Sequence, residues 1–228
     1  MTYDCIILNN STIPLSKTRG LGAHRIASVL REKDYSCLVV DFIDQITVDQ
    51  FYGIVDKAVG SNTVFVGFST MWIQDNFMDI TNHTTDGFDD TNELNFISNQ
   101  IFADGRKLVS DDKLGKLFVN NFHRDVFSYI KNKNNSTKII FGGPLSLLHA
   151  KQERYEDIDH FFVGYSETQI LEFMKDPHDF PRIVQHDTRA NNGACGFDFK
   201  YNKTRYTDTD YITPNEVLGI ELARGCKF

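Results

Sequence analysis

Thr63-Val-Phe-Val-Gly-Phe-Ser-Thr70 is the third apolar strand run in the chain, and its place after two strand–helix pairs decides the fold. Upstream of it, Thr47 and Asp49 open an amphipathic helix that runs through Phe51, Ile54, Val55 and Ala58 and stops at Gly60. Before that helix stands Cys37-Leu-Val-Val-Asp-Phe-Ile43, a second buried strand. A further helix precedes it, with Leu21, Ile26, Val29 and Leu30 largely on one face, polar Arg25, Arg31 and Lys33, and Asp34 marking its end. The first run, Asp4-Cys-Ile-Ile-Leu-Asn9, is too uniformly apolar for a strand with one wet face and reads as covered on both sides. Strand, helix, strand, helix, strand is the pattern of a parallel sheet with helices on both faces.

Working downstream, the rhythm breaks between Met71 and about Lys113. Asp86-Gly-Phe-Asp-Asp-Thr-Asn-Glu93 is acidic, but its ligand positions and glycine are out of register for an EF-hand, so it reads as a solvated loop. Asp104-Gly105 between Asn95–Ala103 and Arg106–Val109 predicts a β-hairpin, giving an insertion over about 74–113. Alternation resumes with a helix from Leu114 to about Lys133, whose apolar face includes Leu117, Phe118, Phe122, Val126, Phe127 and Ile130. Thr137–Pro144 reads as a fourth strand and His160–Tyr165 as a fifth, followed by a helix with Ser166 as N-cap that ends at Asp176-Pro177. From 176 to 217 the composition turns polar and reads as a linker with short extended pieces at Ile183-Val184 and Phe197–Phe199. The predicted architecture is therefore α/β: a doubly wound, mainly parallel five-stranded sheet of flavodoxin/Rossmann-like type over 1–175, with an inserted β-hairpin and a C-terminal extension.

Composition narrows the function classes. At 228 residues, with 41% apolar and 24% charged residues, the chain can bury one sizeable core. A net charge of −7, with 24 Lys and Arg dispersed among 31 acids, disfavours general nucleic-acid binding. No apolar run approaches the roughly 20 residues needed to span a bilayer, and Met1-Thr-Tyr-Asp-Cys5 lacks the basic start of a signal peptide, so a cytoplasmic location is expected. Cys5, Cys37, Cys195 and Cys226 show neither disulfide nor zinc spacing. Gly20-Leu-Gly22 lacks the third glycine of a dinucleotide fingerprint, and neither a P-loop nor a Gly-x-Ser-x-Gly elbow is present. His83, His123, His149, His160, His178 and His186 have no partner at metal spacing.

An open α/β sheet receives its ligand beyond the carboxyl ends of its strands. The residues predicted there are Asn9 to Ser16, Ser69, Thr70, Gly142 to Pro144 and Gly164 to Glu167. Of these, Ser69, Thr70, Gly142, Gly143, Gly164 and Ser166 are the candidate cofactor-binding residues. Glycines remove side chains where a ligand needs backbone, hydroxyls offer donors, and a helix starting at Ser166 would favour a phosphate. The plainer reading is that these residues close strand-to-helix turns, with Phe68 and Tyr165 filling the crevice.

Taken together, Gly67-Phe-Ser-Thr70, Phe141-Gly-Gly-Pro144 and Val163-Gly-Tyr-Ser-Glu167, in this order and spacing, resemble the cobalamin-binding-type domain that precedes the barrel in one branch of the radical S-adenosylmethionine (SAM) superfamily. Leu218-Gly-Ile-Glu-Leu-Ala-Arg-Gly-Cys-Lys-Phe228 resembles the first barrel strand of that superfamily, which delivers the first cysteine of a Cys-x3-Cys-x2-Cys loop. The resemblance implies that Cys226 is a metal ligand of a [4Fe-4S] cluster that acts with SAM in a longer protein. It also implies that the sequence stops inside the motif, with the rest of the barrel missing and further cysteines at 230 and 233. Cobalamin, if bound, would serve methyl transfer. Leu21-Gly-Ala-His-Arg-Ile26 departs from the Asp-x-His-x-x-Gly that ligates cobalt, so His24 reads as a core or helix-surface residue. The alternative is a non-enzymatic flavodoxin-like binding or interaction module in which the terminal cysteine is incidental.

Overall fold

The computed structural model describes residues 1–9, 19–43, 47–69, 121–143, 146, 157–185, 203–214, 216 and 218. Its elements are β1 (Cys5–Leu8), α1 (Leu21–Arg31), β2 (Cys37–Val40), α2 (Val48–Ala58), β3 (Phe65–Ser69), α3 (Asn121–Lys133), β4 (Lys138–Gly142), β5 (His160–Val163), α4 (Glu167–Phe173) and β6 (Ile183–Gln185), followed by a 3₁₀ turn at Asp208–Asp210. The strands form one sheet in the order β2-β1-β3-β4-β5-β6, and every pairing is parallel.

The apolar runs are uniform because both faces of the sheet are covered. In β1, Ile6 and Leu8 face a core built with Phe51, Val55 and Ala58 of α2 and Val126, Phe127 and Ile130 of α3. Cys5 and Ile7 face the opposite core, built with Ala27 and Leu30 of α1 and Ile170 and Phe173 of α4. Alternation of side chains along a strand is what divides one hydrophobic run between two cores. The first core is knit by aromatic edges: Phe127 meets Phe68 at 5.1 Å, and Phe141 meets Phe161 at 5.9 Å.

Local chemistry sets the boundaries. At α2, Thr47 Oγ1 accepts from the Gln50 N–H at 3.2 Å while Gln50 Oε1 accepts from the Thr47 N–H at 2.8 Å, a reciprocal cap that satisfies two donors the helix leaves unpaired. After α1 the chain reverses through Asp34, which takes a positive φ of 64°.

Two differences from the sequence reading stand out. The sheet has six described strands rather than five, because Ile183–Gln185 pairs with β5 in register Phe161–Ile183, Phe162–Val184 and Val163–Gln185. Part of the stretch read as a linker over 176–217 is thus built into the fold, and residues 203–211 dock on α1 and β2, as described below. The second difference concerns α1, where Arg25, expected on the polar face, is 1% exposed. The hairpin expected over 74–113, the start of the helix expected from Leu114, and everything after Leu218 lie outside the described residues. Among the described residues no helix is long and apolar enough to cross a membrane.

Candidate functional site

The carboxyl edge of the sheet gathers most of the expected residues. Ser69 closes β3 and stands in register with Gly142 at the end of β4, Gly142 is in turn in register with Phe162, and Gly164 follows β5 directly. Gly143 and Gly164 take φ of 123° and 83°, a region that side-chain-bearing residues avoid. A Cβ placed on Gly142 or Gly164 would meet nothing within 4 Å, so at these two positions the edge is bare among the described residues. Phe68 does not fill it: the ring is 1% exposed and packs into the core against Phe127 and Phe141. Thr70 and Cys226 lie outside the described residues.

Ser166 stands at the N-cap position of α4, but its hydroxyl donates to the Gly164 carbonyl at 3.3 Å and makes no cap bond. The expected phosphate seat is weakened further because α4 has only seven residues and carries buried Glu167 in its first turn, a charge that opposes an anion there.

At the β1–β2 end the same edge is filled with charge. Asp41, directly after β2, accepts from Asn9 Nδ2 at 2.8 Å, Arg19 Nη1 at 2.9 Å and His24 Nε2 at 2.6 Å. Gly20 makes room for this, since a Cβ there would sit 2.2 Å from Asn9 Nδ2. Arg19 also donates to Glu216 and to the carbonyls of Asp210 at 2.6 Å and Tyr211 at 3.2 Å. Arg31, at the far end of α1, clamps both oxygens of Asp210 at 3.0 and 2.8 Å while donating to the Cys37 carbonyl at 2.8 Å. These contacts bind the segment from Lys203 to Glu216, hereafter the strap, across α1 and the edge strand β2. Ser28 Oγ completes the docking by accepting the Arg205 N–H at 2.8 Å. The 3₁₀ turn of the strap also packs against β2, the edge strand, and a covering segment is one way in which an open strand edge is protected.

Electrostatics follow from the geometry. Burial works against ionisation of Asp210, yet the Arg31 hydrogen bonds and the Thr207 N–H hold its carboxyl below the ordinary range. The hydrogen bond from Arg19 likewise lowers Glu216. Burial acts to lower Arg19, and Glu216 with Asp41 outweighs it, leaving the guanidinium more firmly protonated than usual. Burial pushes the Cys5 thiol well up and the Cys37 thiol up to about 12, so neither offers a thiolate ligand at neutral pH. Among the described residues no group of three or more His, Cys, Asp or Glu is placed to hold a metal ion.

Sequence reasoning placed His24 in the core or on the helix surface without a role. The structure buries it completely, between Asp41 and Asp210. The signal available was a polar stripe at helical spacing, His24, Ser28 and Arg31, on a helix whose apolar face was already accounted for. Compared with known protein families, curated proteins and solved structures, the chain has no match.

Proposed function

We propose that this chain is a cobalamin-binding-type domain of a radical SAM protein and that its ligand lies on the bare half of the carboxyl edge, over Ser69, Gly142, Gly143 and Gly164. The observation that carries the reading is the open space at Gly142 and Gly164, at the ends of adjacent strands of a parallel sheet. Ligands of open α/β sheets lie beyond the carboxyl ends of the strands, and the strand order here reverses between β1 and β3, the strand that Ser69 closes. A corrin with its amide side chains needs backbone within reach and no intervening side chain. The strand order β2-β1-β3-β4-β5 supports the same reading, being the order of flavodoxin-like doubly wound folds. His24 is completely buried, with Nε2 on Asp41 and Nδ1 facing Asp210, so neither ring nitrogen is presented to a ligand at the glycine end of the edge. In the longer protein, Cys226 would hold one iron of a [4Fe-4S] cluster, whose chemistry with SAM is to generate a carbon-centred radical.

Hydroxocobalamin titrated into the chain by calorimetry tests the site. Saturable binding is expected, weakened at least about tenfold in Gly142→Leu, a side chain that enters open space. Absence of heat with the unaltered chain removes the cofactor and leaves the interaction-module reading. The radical SAM part is tested separately by the coding sequence beyond codon 228, where cysteines at 230 and 233 are expected.

A further inference from the structure

We propose that the His24 imidazole is the third positive charge of the clasp that holds the strap, locking it when the ring is protonated and loosening it when the ring is neutral. The geometry of the two ring nitrogens carries this. Nε2 lies 2.6 Å from Asp41 Oδ2, so it donates to that carboxylate. Nδ1 is buried, has no hydrogen-bond partner among the described residues, and faces Asp210 Oδ1 at 3.8 Å. In a neutral ring that donates from Nε2, Nδ1 bears a lone pair, which would point at a carboxylate oxygen inside a dry cluster. Adding a proton to Nδ1 converts that repulsion into attraction.

The charge count points the same way. Asp41 after β2 and Asp210 and Tyr206 from the strap face the ring, and Arg19, Arg31 and Glu216 are joined through these acids and each other. The neutral Cys37 thiol lies beneath Arg31, and buried Arg25, next to His24 on α1, donates to Thr204 of the strap. Asp41, Asp210 and Glu216 carry three negative charges, and the arginines that pair with them are two, Arg19 and Arg31. A buried cluster is stable only when its charges are paired, and the imidazolium makes the pairing complete. Tyr206 seals the cluster, with its ring 4.7 Å from that of His24. The strap depends on this balance because none of its side chains joins either hydrophobic core among the described residues.

Two measurements on the intact chain test the proposal. With ¹⁵N-histidine labelling, the His24 ring, assigned by its loss in His24→Gln, is expected to show both nitrogens protonated at the acid end of the histidine range, about pH 5 to 8. Amide exchange at Arg205, Asp210 and Tyr211, corrected for intrinsic rates, is expected to lose protection on the order of tenfold as the pH rises through that range, the worth of one hydrogen bond to a charged group. Protection at Ile139 to Phe141 in the sheet stays constant, and the His24→Gln strap shows no pH step. A ring with one bare nitrogen at every pH, or strap protection in the unaltered chain that does not change with pH, overturns the proposal. The exchange measurement on the unaltered chain stands even if the variant fails to fold.

Discussion

At the β1–β2 end of the carboxyl edge, Asn9, Arg19, His24 and Glu216 converge on or near Asp41, whereas at the β4–β5 end a side chain on Gly142 or Gly164 would meet nothing within 4 Å among the described residues. Both ends belong to one sheet and one topology. What differs is that a segment far along the chain has been drawn onto the first end and held there by charge. The fold thus offers a full row of strand ends, and this sequence packs charge onto one half of it while the other ends in glycine.

The largest effect that would break this comparison comes from Asp210→Ala. Removing one partner of a buried pair leaves Arg31 and His24 facing each other without the carboxylate, and should cost about 3–5 kcal/mol in urea unfolding. A loss under about 1 kcal/mol would mean that the strap is not held by this pair. Titration reaches part of the same loss. Asp210 and Glu216 have lowered folded-state values, so their contribution is present above the ordinary carboxylate range and disappears as the pH falls through the lowered values. Strap exchange followed downward from pH 5 should therefore rise at acid pH, while an unchanged rate would count against the clasp.

The bare half should respond more gently. Gly164→Ala forces a side chain into a φ of 83° and should cost about 1–2 kcal/mol, read from thermal or urea unfolding. Gly142→Ala enters open space at an ordinary φ and should stay within about 0.5 kcal/mol of the unaltered chain. If Gly142→Ala were as costly as Gly164→Ala, the edge would not be bare at β4.

Legibility in the sequence followed the range of the forces. β1, β2 and β3 were readable because burial on both faces writes itself as an unbroken apolar run, and α2 was readable because its cap lies within four residues of its own start. Ile183-Val184 was legible as an extended piece but not as a sheet strand, since a run of three residues does not say which strand it will pair with. The bare glycines were legible as residue types at strand ends, although the true cap geometry at Ser166 was not. The clasp was hidden for a different reason. Arg31 and Asp210 stand 179 residues apart, and nothing in either neighbourhood says that one guanidinium on a helix has a carboxylate waiting in a polar stretch.

That separation also orders events during synthesis. Asp210 leaves the ribosome 179 residues after Arg31, roughly ten to forty seconds later at ordinary elongation rates of about 5–20 residues per second. Throughout that interval Arg19, His24 and Arg31 have no strap to neutralise them, and the β2 edge is uncovered. The newborn sheet must therefore pass through a period in which its most polar flank is wet and its outermost strand is available to any neighbouring chain, and the arrival of a dozen late residues ends that exposure.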